Sequence, residues 1–238
     1  MGKLKKKDEY EKIVCLLNSL TGKRSLWQVF NDCISVYAVM IQNSFMPAGK
    51  RFDNIERIYK NTVEDYTDTE KDVMLKTFAE IVVILNDKPF QDLLGDLYMR
   101  LDMGNEAIGQ FFTPYNISLA TAKAMLKKSE TQEKIAKKGH VTVLEPAAGG
   151  GANLIAACEV FKDFGIDYQK NVVFVAQELN RLTALMCYVA LSLIGANAVI
   201  KIGDTLKAPY TNFFDEIKND SEIWITPMFA ANDFFGVV

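Results

Sequence analysis

Residues 141–160 have the sequence VTVLEPAAGGGANLIAACEV, in which a β-branched run is followed by three glycines and a second apolar run. The first run, Val141–Leu144, predicts a buried strand, and the run from Ala152 predicts a helix. A strand, a glycine-rich turn and a helix form the first unit of an open α/β sheet, where a ligand binds beyond the carboxyl end of the strand. Glycine lets the ligand approach the backbone, and the helix N-terminus offers N–H donors.

The glycine spacing differs from the dinucleotide fingerprint GxGxxG. Gly149, Gly150 and Gly151 are consecutive, and a proline directly follows Glu145. A tight turn that binds no ligand is the alternative interpretation, because a short glycine motif alone is weak. The choice between the two depends on the rest of the chain.

Composition narrows the class of protein. An apolar content of 49% and a charged content of 24% are typical of a globular chain with a real core. The net charge of −3 provides no overall positive potential that would attract nucleic acid. A DNA-directed activity would therefore need a partner that contributes part of the affinity for DNA. The four scattered cysteines and the single histidine lack the spacing of a metal site. Neither a signal peptide nor an apolar run of membrane-spanning length is recognisable, which predicts a cytoplasmic protein without a membrane segment.

The N-terminal part predicts a helical domain over residues 1–105, ahead of a second domain over residues 106–238. Apolar residues recur there at helical spacing, which is far more typical of a core than of a cofactor site. Helices are predicted from residue 8, from a Ser25 cap to about Met46, over Asp53–Tyr66, over Glu70–Asn86 and through Leu93–Leu101.

Three more strands are predicted after the opening one, over Val172–Ala176, Ala198–Ile202 and Glu222–Ile225. Glu178 follows the second strand, where a carboxylate can accept from ribose hydroxyls or can instead cap the next helix. Ahead of the sheet, Gly109-Gln110-Phe111-Phe112-Thr113-Pro114 precedes a helix beginning near Asn116 or Ser118. Its two phenylalanines fit an aromatic plug and a ligand-facing loop equally well.

Five short segments in this order resemble the adenine-N6 DNA methyltransferases, most closely the type I restriction-modification methylase subunits and their short phage or plasmid members. The segments are Gly-Gln-Phe-Phe-Thr-Pro (109–114), Glu-Pro-Ala-Ala-Gly-Gly-Gly (145–151), Gln-Glu-Leu-Asn (177–180), Gly-Asp-Thr-Leu (203–206) and Thr-Pro-Met-Phe (226–229). Each is weak alone, but five in the right order strongly favour the ligand-binding interpretation. The resemblance implies an α/β fold, with a helical N-terminal domain followed by a Rossmann-like methyltransferase sheet.

The resemblance also implies S-adenosyl-L-methionine as the cofactor. The segment Gln110, Phe111, Phe112, Thr113, Pro114 and Tyr115 matches the loop over the methionine part of the cofactor. Glu145, Gly149, Gly150, Gly151 and Ala152 match the turn around its amino-acid group. Glu178 matches the ribose acceptor, and Asp204 matches the residue near the amino group of the adenine ring. No metal is expected from the scattered cysteines and the single histidine. Methyl transfer needs no covalent enzyme intermediate, because the sulfonium itself carries the activated methyl group.

The acceptor segment departs from the family pattern Asn/Asp/Ser-Pro-Pro-aromatic. The resemblance assigns catalysis to Thr226, Pro227 and Phe229, which would hold the amino group and stack on a flipped-out adenine of DNA. Threonine is shorter than asparagine, and Met228 replaces the second proline. We therefore expect catalysis that is weak, altered or absent, with cofactor binding kept.

Only nine residues follow Phe229, whereas the family sheet continues with further strands. We expect a C-terminally shortened sheet, or a partner that completes it and recognises DNA as a specificity subunit does. Three functions stay open: a DNA adenine methyltransferase, a non-catalytic module that binds the cofactor, and a small-molecule methyltransferase. The third is the least favoured, because Thr-Pro-Met-Phe suits a planar amine acceptor.

Overall fold

A computed structural model of the chain describes residues 2–46, 50–101, 112–210 and 222–232. Within these ranges the protein is a mixed α/β fold with eleven helices and one four-stranded sheet. The predicted domain boundary between residues 105 and 106 lies outside the described residues.

Five helices precede the sheet. They are α1 (Gly2–Ser19), α2 (Leu26–Asn43), α3 (Lys50–Val63), α4 (Asp68–Asp87) and α5 (Leu93–Arg100). Ser25 accepts from the Gln28 N–H at the start of α2, as the sequence predicts, and Thr67 with Glu70 forms a capping box on α4. Helix α2 packs against α3 and α10, and α1 packs against α4.

The remaining described elements are six helices and four strands. They are α6 (Tyr115–Met125), α7 (Lys128–Lys138), β1 (Val141–Glu145), α8 (Ala152–Asp163), α9 (Tyr168–Asn171), β2 (Val172–Glu178), α10 (Arg181–Leu193), β3 (Ala198–Ile202), β4 (Ile223–Ile225) and α11 (Pro227–Asn232). All four predicted strands are present, whereas helices α7, α9 and α11 were not predicted from the sequence.

The strand order in the sheet is β1-β2-β3-β4. Strands β1, β2 and β3 are parallel, with Glu145 opposite Ala176 and Glu178 opposite Ile202. Strand β4 runs antiparallel to β3 and pairs Ile225 with Val199. The carboxyl ends of the first three strands therefore share one edge of the sheet, and the carboxyl end of β4 lies at the opposite edge.

The main core joins the N-terminal helices to one face of the sheet. Buried side chains from α1, α2, α4, α5, α8 and α10 meet Phe174, Ala176, Ile200 and Trp224. A smaller cluster covers the other face, where Phe229 and the half-buried Phe45 contact strand residues such as Val173 and Val199. Strand β2 is buried along nearly its whole length. Strand β1 alternates between half-buried and exposed residues, as expected for the outermost strand of a sheet.

Candidate functional site

The site is organised by the ends of β1, β2 and β3, which we call the carboxyl edge (Glu145, Glu178 and Ile202 with the turns that follow them). Two backbone hydrogen bonds join these turns across the edge. The Ala148 N–H donates to the Gln177 carbonyl at 3.0 Å, and the Gly203 N–H donates to the Glu178 carbonyl at 2.9 Å. The glycine-rich turn is thus held against β2, and the turn after β3 is held in line with it.

Glu178 connects β2 to the glycine-rich turn through its side chain. Its Oε2 accepts from the Gly149 N–H at 2.8 Å, and its Oε1 accepts from the Asn180 N–H at 2.8 Å. The side chain remains partly exposed. Because the carboxylate is partly exposed, the hydroxyl groups of a ligand can reach its oxygens and compete there with the two backbone N–H donors.

Glu145 makes the corresponding contacts at the end of β1. Its Oε1 accepts from the Ala147 N–H at 3.2 Å, and its Oε2 accepts from Asn153 Nδ2 at 3.0 Å. Asn153 was not predicted as a site residue. Its signal in the sequence is a polar residue in the first turn of the helix that follows the glycines.

Glycine is required at two positions of the turn. Gly149 has φ +51° and Gly151 has φ +97°, conformations that favour glycine. A Cβ on Gly151 would lie 3.0 Å from Cys187 Sγ and 3.3 Å from its Cα, so α8 begins in close contact with α10. No side chain caps the start of α8 at Ala152, which leaves its first N–H groups available to a ligand.

Aromatic side chains cover this turn from the N-terminal side. A Cβ on Gly149 would lie 3.4 Å from the Phe112 ring, and that ring packs edge-on against Tyr98 with centroids 5.1 Å apart. Tyr115 instead donates its hydroxyl to Glu159 of α8 at 2.5 Å. Thr113 and Pro114 are exposed ahead of α6, while Gln110 and Phe111 lie outside the described residues.

The turn after β3 completes the carboxyl edge. Asp204 accepts from the N–H groups of Leu206 and Lys207, and it pairs with Lys207 Nζ at 3.2 Å. The pKa of Asp204 lies below its usual range, because the hydrogen bond from Lys207 and the two backbone donors stabilise the carboxylate. Thr205 donates its hydroxyl to the Pro146 carbonyl at 2.6 Å and so links the turn after β3 to the turn after β1. This role of Thr205 was not predicted from the sequence. Leu206 and Leu179 expose 95% and 68% of their surface at this edge.

The predicted acceptor segment, Thr226–Phe229, lies elsewhere. Thr226 is fully buried where β3 begins: its hydroxyl donates to the Ala196 carbonyl at 2.7 Å and accepts from the N–H groups of Ala198 at 3.0 Å and Phe229 at 3.3 Å. Pro227 begins α11, and Phe229 is buried against the sheet. Strand β3 separates Thr226 from the carboxyl edge by about 13 Å, since parallel strands rise about 3.3 Å per residue. The structure therefore does not bring these three residues to the carboxyl edge.

In the ranges that the structure describes, no group of three or more His, Cys, Asp and Glu side chains is arranged to hold a metal ion. None of the described helices is long and apolar enough to cross a membrane.

Comparison with known families gives a match to the model of the N-6 DNA methylases over residues 90–232. The chain belongs to the N-6 DNA methylase family. The match covers more than half of the chain, from just before α5 to the end of α11, so it includes the carboxyl edge and the Thr226 segment. This match confirms, at the level of the family, the predicted resemblance to adenine-N6 DNA methyltransferases. No curated protein matches the chain.

Proposed function

We propose that this N-6 DNA methylase binds S-adenosyl-L-methionine at the carboxyl edge and transfers its methyl group to adenine N6 of DNA, together with a partner that recognises the DNA sequence. The observation that carries the proposal is the Glu178 carboxylate, which accepts from the turn N–H of Gly149 and remains open to solvent. A ribose needs such an acceptor beside a glycine-rich turn.

The residues of the carboxyl edge fit the cofactor chemically. Glu178 supplies acceptors for the two ribose hydroxyls, and Asp204 supplies one for an amino group. The uncapped start of α8 offers N–H donors to a carboxylate, and the exposed Leu179 and Leu206 offer apolar surface to a flat ring. When bound, the cofactor supplies an activated methyl group on its sulfonium. The contribution of the protein is to orient donor and acceptor and to exclude water.

Catalysis by Thr226, Pro227 and Phe229 requires the acceptor segment at the same edge as the cofactor. In the described arrangement the Thr226 hydroxyl is saturated by three backbone partners at the opposite edge. This observation favours a second candidate function, a cofactor-binding module that carries out no methyl transfer through these residues. Under the first candidate, the segment has to leave the amino end of β3 before it contacts adenine.

Calorimetric titration of S-adenosyl-L-methionine tests cofactor binding, with Glu178→Ala as the test variant and Glu130→Ala, an exposed carboxylate on α7, as the matched control. We expect Glu178→Ala to weaken binding by about 10- to 100-fold, because hydrogen bonds to a charged group contribute about 1.5–3 kcal/mol. Glu130→Ala should bind like the wild type. A folded wild-type chain that does not bind the cofactor would contradict both candidate functions.

Methyl transfer is tested separately with methyl-labelled cofactor and genomic DNA free of methylated adenine. Label recovered as N6-methyladenine, in the presence of cell extract as a source of partner, supports the enzyme. Cofactor binding without any incorporation supports the second candidate. Label recovered on small molecules but not on DNA would contradict both.

A further inference from the structure

Helix α4 carries apolar side chains on both of its faces. Its inner face packs into the protein through five buried residues, Met74, Thr77, Ile81, Ile84 and Leu85. Its outer face exposes four apolar residues to solvent, Leu75, Ala79, Val82 and Val83. Leu75 exposes 45% of its surface and Val83 exposes 63%. Single exposed apolar residues are ordinary, but a cluster of them on one helix face is typical of an interaction surface.

Five residues of this face lie four positions apart and form a ridge along the helix, which we call the outer ridge (Lys71, Leu75, Ala79, Val83 and Asp87). Along the chain its side chains are basic, apolar, small, apolar and acidic. In the reverse direction the ridge offers an acid in place of the base and one branched apolar residue in place of the other. The outer ridge is therefore complementary to an antiparallel copy of itself.

Ridges of this four-residue spacing interleave in the commonest packing of two helices. A two-fold axis beside Ala79 would bring Leu75 of each copy against Val83 of the other. The small side chain of Ala79 lies at the crossing point, where it lets the two helix axes approach closely. The outer ridge is about 24 Å long, since a helix rises about 1.5 Å per residue, so its charged ends lie well away from this apolar centre.

Polar residues at both ends of the outer face complement each other across the same axis. Lys71 of each copy meets Asp87 of the other, and Asp72 meets Asn86, whose amide can donate to the carboxylate. In the isolated chain Lys71 Nζ lies 3.3 Å from Asp68 Oδ1, and the Asp68 side chain is fully exposed. Because surface ion pairs of this kind contribute little to stability, Lys71 can exchange this partner for Asp87 of a second copy.

We propose that α4 is an interface between two copies of this chain, in which the two outer ridges pack antiparallel about a two-fold axis at Ala79. Such an axis places the same surface on both sides of the contact, so the exposed apolar residues of both copies are covered together. The contact is a single helix pair, so the dimer is of the small, reversible class. The interface shares no residue with the carboxyl edge and does not depend on the proposed function.

Sedimentation velocity of the full chain from about 1 µM to about 1 mM measures the equilibrium between monomer and dimer. Leu75→Lys and Ala79→Glu place charges at the centre of the outer ridge. Ile117→Lys is the matched control, because Ile117 on α6 is also half exposed, at 51%. All three positions are exposed, so circular dichroism should show the same helix content in each variant.

Charge reversal tests the antiparallel geometry. Lys71→Asp and Asp87→Lys each place like charges opposite one another twice in the dimer, whereas the double variant restores opposite charges. The two single variants change the net charge in opposite directions, so a net-charge effect would weaken one and strengthen the other. Lys134→Asp, at an exposed position on α7, is the control for Lys71→Asp.

We expect a concentration-dependent dimer whose dissociation constant rises at least about 10-fold in Leu75→Lys and in Ala79→Glu. Each single charge reversal should raise it about 3- to 10-fold, and the double variant should return to the wild-type value. The controls should dimerise like the wild type. The proposal is overturned if the wild type is monomeric at every concentration, if Leu75→Lys dimerises like Ile117→Lys, or if the double reversal dimerises no better than the single ones.

Discussion

The carboxylates at the carboxyl edge of the sheet and the Thr226 hydroxyl at its amino edge differ in exposure and in hydrogen-bond partners. At the carboxyl edge, Glu145 and Glu178 are partly exposed and accept from the N–H groups of Ala147, Gly149 and Asn180. At the amino edge, the fully buried hydroxyl of Thr226 has three backbone partners within 3.3 Å. One edge presents carboxylates that a ligand can reach. At the other edge the Thr226 hydroxyl is bonded within the fold, whereas the buried side-chain amide of Asn197 has no hydrogen-bond partner in the part of the chain that the structure describes.

This difference separates binding from stability. A partly exposed carboxylate can exchange a backbone donor for a ligand donor, so the stability of the fold depends little on it. Its removal should therefore mainly lower the affinity for the ligand. A buried hydroxyl bonded only within the fold leaves unsatisfied backbone groups when it is removed, so its loss should mainly lower stability. Substitutions at the two edges therefore report on different quantities.

The largest expected effect is at Gly151. In Gly151→Ala the new Cβ would lie 3.0 Å from Cys187 Sγ in a residue with φ +97°, so overpacking adds to backbone strain. We expect a loss of about 3 kcal/mol in the free energy of unfolding, measured by denaturant titration. Gly165→Ala is the control, because Gly165 has φ +72° with no atom within 4 Å of its Cβ position and should lose only about 1 kcal/mol. Equal losses would show that α8 and α10 do not require this close contact.

The second prediction concerns the buried Asp92, which caps α5. Burial, aided by the nearby Asp96, raises the pKa of Asp92 from 3.8 to about 6, although the Gly95 N–H donates to it at 3.0 Å. Between these values the folded chain retains a proton that the unfolded chain releases. Stability should therefore fall as pH rises from about 4 to about 6, by up to about 3 kcal/mol.

Asp92→Asn keeps a capping acceptor and removes the titration, so it should flatten this part of the stability profile and be more stable than the wild type at pH 7. Urea titrations at several pH values measure the profile. Asp68→Asn, whose parent side chain is 100% exposed, should leave the slope unchanged. The prediction is contradicted if the free energy of unfolding of the wild type, minus that of Asp92→Asn, rises between pH 4 and pH 6.

The third prediction compares one threonine from each edge. Thr226→Val should cost about 2 kcal/mol of stability, because a buried hydroxyl with three partners is lost. Thr205→Val removes one bond, to the Pro146 carbonyl, at a half-buried position and should cost less than about 1 kcal/mol while weakening cofactor binding. Thermal unfolding and calorimetry of both variants measure the contrast. A Thr226→Val chain of wild-type stability that lost only methyl transfer would support the acceptor role instead.

Local features of this fold were predictable from the sequence. The β-branched runs, the Ser25 cap and the glycine-rich turn are encoded within a few residues of where they act, and the structure contains each of them. Glu178 could be assigned to a strand end for the same reason. Its role with the cofactor remains a prediction.

Pairing between distant segments was not predictable in the same way. Ile223–Ile225 is a strand of three apolar residues, and such a short run does not specify which edge it joins or in which direction. Its antiparallel pairing with β3 is what separates Thr226 from Glu178. A cavity of about 130 Å³ between α6, β1 and α8 also depends on how α6 packs against α8, which the sequence pattern of neither helix reveals.

The smallest expected effect tests the predicted role of Tyr115 in cofactor binding. Its hydroxyl donates to Glu159 on α8, and burial and this bond raise the pKa of Tyr115 well above its usual value. Tyr115→Phe removes the bond and keeps the ring, so it should cost about 1 kcal/mol of stability and leave cofactor affinity unchanged if only the ring faces the cofactor. Glu159→Gln, which keeps an acceptor, should cost less. A Tyr115→Phe chain that is stable but binds the cofactor tenfold more weakly would mean that the hydroxyl leaves Glu159 for the ligand, and Tyr115 would then join the carboxyl edge as a binding residue.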